Sequence, residues 1–298
     1  MSAPPTYFIS GVQRSGTTLL SFLLSGHSQI DMQPRATAFR LITCFKNYRE
    51  RLGDTITDDQ NERFRQLIRQ DYKGILAELL DWENFDQYES IQELIATSIE
   101  QQLATKNKTI WVDKAPNLQH YLEGLFYLMP NAKIIHIIRD GRAVANSMHR
   151  RTNKPLRLCA QEWVDGNVEA LAAQRLLGRD KIYFLSYEDL VKDATATLKG
   201  VCQFLDIGFE PQMLDLEAHQ QTGGDTAYVD TRFDSQKLTA YQNQLTAKQL
   251  QQIETIQLPL LQQFDYPLLA SPTAYQPLTT AQQIWLRQQH NFSALFRA

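Results

Sequence analysis

Near the start of the chain two glycines stand with four residues between them, directly behind the apolar run Tyr7-Phe8-Ile9: Gly11-Val12-Gln13-Arg14-Ser15-Gly16-Thr17-Thr18. A strand that runs into such a loop and then into an apolar helix, here Leu19 to Leu24, is the pattern of a phosphate-binding loop. It constrains the chain to an α/β architecture with the loop at the carboxyl end of a strand. The glycine spacing is kept, and Thr18 stands where the pattern has Ser or Thr. The lysine before it is missing. Thr17 fills its place, and a cation sits upstream at Arg14. Backbone N–H groups and a helix N-terminus still offer positive potential to an oxyanion. What is gone is the lysine that reaches the β- and γ-phosphates of a nucleoside triphosphate. The loop therefore predicts a different activated anion, and a structural glycine turn is the competing reading.

Three further runs have strand character: Thr109 to Val112, Lys133 to Ile138 and Ile182 to Leu185. Each is short, β-branched or aromatic, and followed by a helical pattern, as is the run Tyr7 to Ser10. Alternation of this kind predicts a three-layer α/β fold with a central parallel sheet flanked by helices. Ligands of such sheets sit beyond the carboxyl ends of the strands. The charged and hydroxylated residues cluster there: Arg14 to Thr18, Asp113-Lys114, Arg139 and Tyr187.

With 298 residues and 43% hydrophobic content the chain can build one large domain. The expected division is residues 1–270 as the α/β domain, with a helical insertion at about 46–108, and residues 271–298 as a helical tail packed on it. In the insertion Phe64, Leu67, Ile68, Tyr72, Ile75, Leu76, Leu79 and Leu80 recur at helical spacing behind a Thr57-Asp58 cap. The polar stretch from Gly223-Gly224-Asp225 to Ser235 reads as a lid or an ordinary surface loop. A net charge of −3 gives no global case for nucleic acid. Cys44, Cys159 and Cys202 lack metal-ligand spacing and suit a reducing compartment. No apolar run approaches ~20 residues, and Met1 to Pro5 has no basic leader. No membrane association and a cytoplasmic location are expected.

The strand Ile134-Ile135-His136-Ile137-Ile138 ends in Arg139-Asp140-Gly141-Arg142, and His149, Arg150, Arg151, Lys154 and Arg157 follow. A helix from about Gly141 brings Arg139, Ser147 and Arg151 toward one end of the sheet. A second phosphate site, a solvated basic helix and a nucleic-acid patch compete, the last weakened by the lack of stacking aromatics. Lys114, after Trp111-Val112-Asp113, reads either as a surface lysine or as a cation that neutralises a leaving oxygen. His136 alternates with isoleucines and reads as a satisfied buried histidine.

Taken together, these segments resemble the PAPS-dependent sulfotransferase family (PAPS is 3′-phosphoadenosine 5′-phosphosulfate), in the branch of the tyrosylprotein sulfotransferases and their bacterial relatives. Arg14-Ser15-Gly16-Thr17-Thr18-Leu19 resembles the family's 5′-phosphosulfate loop. Asp113-Lys114-Ala115-Pro116 is similar to its Asn-Lys-Asp-Pro stretch, whose lysine is catalytic. Pro130-Asn131-Ala132-Lys133 through Arg139 to Ser147-Met148 resembles its 3′-phosphate motif, which places that role on Arg139, Ser147 and Arg151. Tyr187-Glu188-Asp189-Leu190, with Phe204-Leu205 beyond, resembles the segment whose tyrosine contacts the donor. The likeness runs from residue 7 to 207, about two thirds of the chain.

The resemblance implies sulfuryl transfer to a hydroxyl or amine, without a metal, with Lys114 and Arg14 stabilising the leaving phosphate. It implies a small-molecule, carbohydrate or peptide acceptor. It also exposes two departures. Where these relatives have a general-base glutamate, twenty-one positions after the loop arginine, this chain has Arg35. The nearby acids by sequence are Asp31 and Asp113. The family's lid lysine corresponds to Ala240, with Lys237 close by. The alternatives are a kinase-like phosphotransferase, disfavoured by the absent loop lysine, and a non-catalytic bisphosphoadenosine-binding protein, favoured by Arg35.

Overall fold

The computed structural model describes residues 4–33, 37–52, 58–72, 74, 76–215, 233, 235–270 and 274–295. Among these, β1 (Thr6–Ser10), β2 (Ile30–Gln33), β3 (Ile110–Lys114), β4 (Lys133–Ile138) and β5 (Ile182–Ser186) form one sheet in the order β2-β3-β1-β4-β5. All four pairings are parallel. The central strand β1 is buried along its whole length, as a parallel strand covered on both faces must be.

Helices α1 (Thr17–Ser25), α2 (Thr37–Leu52), α3 (Asp58–Leu67), α4 (Ile91–Thr105), α5 (Leu122–Leu128), α6 (Gly141–Thr152), α7 (Leu156–Leu177), α8 (Tyr187–Lys192) and α9 (Ala194–Leu205) precede helices Ala247–Gln263 and Thr280–Leu295. Strand side chains alternate between faces, and the core divides accordingly. Phe8, Trp111 and Ile134 pack against α2, α4 and α5. Ile9, Val112, Ile135 and Ile137 pack against α1, α8 and α9. A third cluster joins α6, α7 and helix Ala247–Gln263. Helix Thr280–Leu295 buries Leu286 in that cluster and leaves Ile284 and Trp285 about half exposed.

Strand β2 has no counterpart in the sequence reading. Its four residues include two buried polar ones, Asp31 and Gln33. Asp31 accepts hydrogen bonds from the Lys106 ammonium (2.8 and 2.9 Å) and the Gln33 amide (2.8 Å). An edge strand made comfortable by a distant lysine carries little local signal. The expected helical layer also needs correction. After α3 the chain widens into a π-helical turn, Ile68–Tyr72. Leu76, Leu79 and Leu80 then reach the core from turns rather than from a helix. There the Trp82 indole N–H donates to the Leu76 carbonyl (3.2 Å), and the Gln102 amide donates to that of Leu79 (3.1 Å). Thr57, half of the expected cap, lies outside the described residues.

The chain leaves β1 toward β2 on one side and leaves β4 toward β5 on the other. The crevice between the carboxyl ends of β1 and β4 is therefore the ligand position for a sheet of this order.

Behind that crevice lies a buried ion cluster. Arg142, 1% exposed, pairs with Asp140 (2.8 Å) and Glu254 (2.6 Å). Glu254 also accepts the backbone N–H groups of Leu269 and Ala270, each at 2.8 Å. Glu254→Ala leaves two backbone N–H groups without their acceptor and a buried guanidinium with Asp140 and the Pro267 carbonyl (2.7 Å) as its remaining partners. We expect a stability loss of about 3–5 kcal/mol, measured by urea denaturation; a loss under about 1 kcal/mol, the scale of an exposed pair, would contradict the buried network.

Candidate active site

The loop after β1 owes its shape to three residues. Gly11 passes so close to β4 that a Cβ would lie 2.6 Å from the Ile137 carbonyl oxygen. Gly16 has φ 108°, and a side chain there would run into the Tyr187 ring. Arg14, although not a glycine, takes φ 73°, a left-handed conformation that non-glycine residues rarely adopt. Backbone strain of this kind persists where the surroundings impose it, often at ligand sites. Helix α1 starts at Thr17 with Gly16 as its N-cap and no side-chain cap. The Ser15 side chain is buried, and its hydroxyl has no hydrogen-bond partner among the described residues.

Segment 115–117 is laced to this loop. Ala115 N–H donates to the Ile9 carbonyl (2.9 Å) and Asn117 N–H to that of Gly11 (2.9 Å). Gln13 N–H donates to Asn117 Oδ1 (3.2 Å). Lys114, the last residue of β3, is thereby brought to the loop, and its ammonium lies 3.5 Å from the Thr18 hydroxyl.

From the other side come the end of β4 and helix α6. The Arg139 guanidinium lies over the Tyr187 ring, 4.3 Å from its centroid. It donates to the carbonyl oxygens of Arg14 (3.2 Å) and Lys237 (3.3 Å), and its Nε has no partner among the described residues. Arg14 Nε donates to the Ser147 hydroxyl (3.0 Å). Burial, and then the charges of Arg139 and Arg151, push the Arg14 pKa down. Burial and Arg139 do the same to Lys237. Among the described residues no carboxylate lies within ion-pair distance of Arg14 or Arg139. Clustered cations with spare donors suit a multiply charged anion.

The structure thus brings Arg14, Ser15, Gly16, Thr17, Thr18, Lys114, Arg139, Ser147, Arg151 and Tyr187 to one crevice. Other residues of the basic stretch are engaged elsewhere. Arg142 belongs to the buried ion cluster. Lys154 pairs with Glu162 (2.9 Å), and the His149 ring meets the Lys154 carbonyl (2.6 Å). His136 is buried against Asn167 (3.2 Å), and burial pushes its pKa down to about 4. Arg35 and the stretch at Gly223 lie outside the described residues. Sequence reasoning did not single out Trp163, which donates to the Arg139 carbonyl (3.0 Å), Glu188, which accepts the Asp140 N–H (2.9 Å), or Tyr241, whose hydroxyl donates to the Asp140 carboxylate (2.9 Å); their partners lie far off in the chain, so no local pattern marked them.

Asp113, one of the acids considered as a base, has a structural task. It is fully buried, and its Oδ2 accepts the N–H groups of Ala38 (3.0 Å) and Phe39 (3.2 Å) at the start of α2. Asp31, the other, is held by Lys106 and Gln33.

The sequence profile of the sulfotransferase family matches residues 5–211. Protein-tyrosine sulfotransferase 1 of Danio rerio is 27% identical over 220 residues, covering 72% of this chain and 56% of that protein. Nodulation protein NoeE of Sinorhizobium fredii (strain NBRC 101917 / NGR234) is 23% identical over 285 residues, covering 84% and 63%. The chain spans about half the length of the protein-tyrosine sulfotransferases it matches. Among solved structures, the sulfotransferase domain from the curacin biosynthetic pathway shares the fold with a TM-score of 0.59 at 24% identity, covering 89% of this chain and 99% of that one. Among the described residues no group of three or more His, Cys, Asp or Glu could hold a metal ion, and no helix is long and apolar enough to cross a membrane.

Burial pushes the Asp113 pKa up to about 7, against the lowering effect of the Phe39 and Ala38 N–H groups. An unfolded aspartate titrates near ~3.9. Between these values the folded state binds the proton more tightly, so the contribution of Asp113 to stability falls as pH rises from about 4 to 7. Above that window it is constant. In Asp113→Asn this falling component should vanish. Urea midpoints of both proteins across the window test it, and parallel pH profiles would show that Asp113 does not titrate there.

Proposed function

Because the chain belongs to the sulfotransferase family, we propose that it moves a sulfuryl group from PAPS to a hydroxyl or amine acceptor. The observation that carries this reading is the cationic crevice. Arg14 and Arg139 have no carboxylate within ion-pair distance among the described residues, and the buried Ser15 hydroxyl beside them has no partner. A donor with phosphate groups at both ends fits the two halves of the crevice. The loop from Arg14 to Thr18 would hold the 5′ end, and Arg139, Ser147 and Arg151 the 3′-phosphate. Tyr187, packed between Gly16 and Arg139, would contact the nucleotide between them.

When bound, PAPS supplies an activated sulfuryl group whose departure leaves negative charge on the 5′-phosphate. Lys114 and Arg14 would hold fixed positive charge at that point, where a preorganised cation favours the transition state over the ground state. A guanidinium keeps its proton near neutral pH, so Arg35 is not a base. The relatives named protein-tyrosine sulfotransferases support a peptide hydroxyl as acceptor. The three cysteines, all free and buried, support a reducing compartment such as the cytoplasm. Thr17 in place of the loop lysine speaks against a kinase-like reaction.

3′,5′-Bisphosphoadenosine should raise the melting temperature without magnesium, whereas ATP should do little. At ~100 times its dissociation constant a ligand adds about 2.7 kcal/mol, which a thermal-shift assay resolves. A large shift with magnesium-ATP and none with bisphosphoadenosine would overturn the proposal.

Lys114→Ala should lower single-turnover sulfuryl transfer by roughly 10²–10³-fold while bisphosphoadenosine affinity changes far less. Lys114→Arg should rescue poorly, since a planar fork does not replace a compact point charge. Wild-type turnover in Lys114→Ala would remove the lysine from the reaction. Bisphosphoadenosine binding without turnover on any acceptor in the wild type would favour the non-catalytic alternative.

A further inference from the structure

Arg139 is surrounded by positive charge, yet its position is well defined. Its carbonyl accepts the Trp163 indole N–H (3.0 Å). The next backbone N–H, that of Asp140, donates to Glu188 Oε1 (2.9 Å). Glu188 follows Tyr187 directly in the chain, and the Tyr187 ring carries the Arg139 guanidinium. Hydrogen bond and stack are therefore two ends of one clamp between the end of β4 and the start of α8. The other Glu188 oxygen accepts the Tyr266 hydroxyl (2.8 Å) and faces that of Ser186 (3.4 Å).

The arrangement solves an electrostatic problem. A carboxylate paired with the Arg139 guanidinium would hold it in place and also neutralise it. Glu188 instead directs its acceptors to a main-chain N–H and a tyrosine hydroxyl. The strand end is fixed while the guanidinium keeps its charge and spare donors. Tyr187 also closes over Gly16, so a shift of α8 would disturb the loop and Arg139 together.

We infer that Glu188 is a positioning residue: through the Asp140 N–H it holds Arg139 on the Tyr187 ring and so presents an uncompensated guanidinium to the crevice. The placement of Arg139 stands on geometry alone; its consequence for ligand binding rests on the proposed function.

Three variants separate reach from charge. Glu188→Gln keeps an oxygen for Asp140 and can donate to Tyr266. Glu188→Asp keeps the charge but is one methylene short. Glu188→Ala has neither. The first readout needs no ligand. The Arg139 Nε–H resonance, identified by its loss in Arg139→Lys, carries the ring-current shift of Tyr187, and Tyr187→Leu gives its unstacked position. It should stay in Glu188→Gln and move to the unstacked position in Glu188→Asp and Glu188→Ala. The second readout is affinity for bisphosphoadenosine and for adenosine 5′-monophosphate, which lacks the 3′-phosphate. Glu188→Asp and Glu188→Ala should lose about tenfold or more on the former and under about threefold on the latter, with Glu188→Gln close to wild type.

An unmoved resonance in Glu188→Asp, or a Glu188→Gln protein that behaves like Glu188→Ala, would overturn the inference. If Glu188→Ala does not fold, as judged by its thermal melt, the Asp and Gln pair still decides. Failure of the wild type to bind bisphosphoadenosine would sink the proposed function and leave the resonance test of Glu188 standing.

Discussion

Like charges at close range repel, and the crevice of this protein is built around that repulsion. Burial, and then the charges of Arg139 and Arg151, push the Arg14 pKa down, and burial and then Arg139 do the same to Lys237. Neutral partners hold the group together. The Ser147 hydroxyl takes Arg14, the carbonyls of Arg14 and Lys237 take Arg139, and a tyrosine face lies beneath it. These partners satisfy donors without cancelling charge. The fold thereby holds two cationic segments against each other.

That compression depends on strand order. Because β1 lies beside β4, the loop at Arg14 and the strand end at Arg139 are neighbours although more than a hundred residues separate them. On the other flank β3 does two things with consecutive residues. Asp113 faces the layer that contains α2 and caps that helix, while Lys114 faces the layer of α1 and reaches Thr18. The two-residue period of a strand sends the two side chains to opposite layers in a single step.

Much of this was legible in the sequence because the signals were local. Four apolar runs, each with a charged or hydroxylated residue at its carboxyl end, mark the four parallel strands β1, β3, β4 and β5 and the end of the sheet at which those residues gather. What escaped depended on partners remote in sequence. Strand β2 is stabilised by Lys106, and a carboxylate bound that way looks like loop chemistry when read alone. Leu76, Leu79 and Leu80 keep helical spacing but lie in turns beyond a π-helical segment. Glu188 stood in the segment that resembles the family's donor-contacting one, with no role of its own, and only the fold shows that its partner is the amide of Asp140.

The pairing pattern also sets an order of assembly. Strand β1 precedes both of its sheet neighbours in the chain by about a hundred residues or more. Local contacts are therefore scarce at the centre of the sheet, and closing it requires large loops. While a ribosome is still making residues 11–110, the loop at Arg14 has no strand on either side and no Arg139 beneath its carbonyl. The contact between the loop at Arg14 and the end of β4 thus forms only after both segments are made, although more than a hundred residues separate them. A nascent chain can collect helices α1 to α4 early, but the loop at Arg14 meets Arg139 only when β4 lies beside β1.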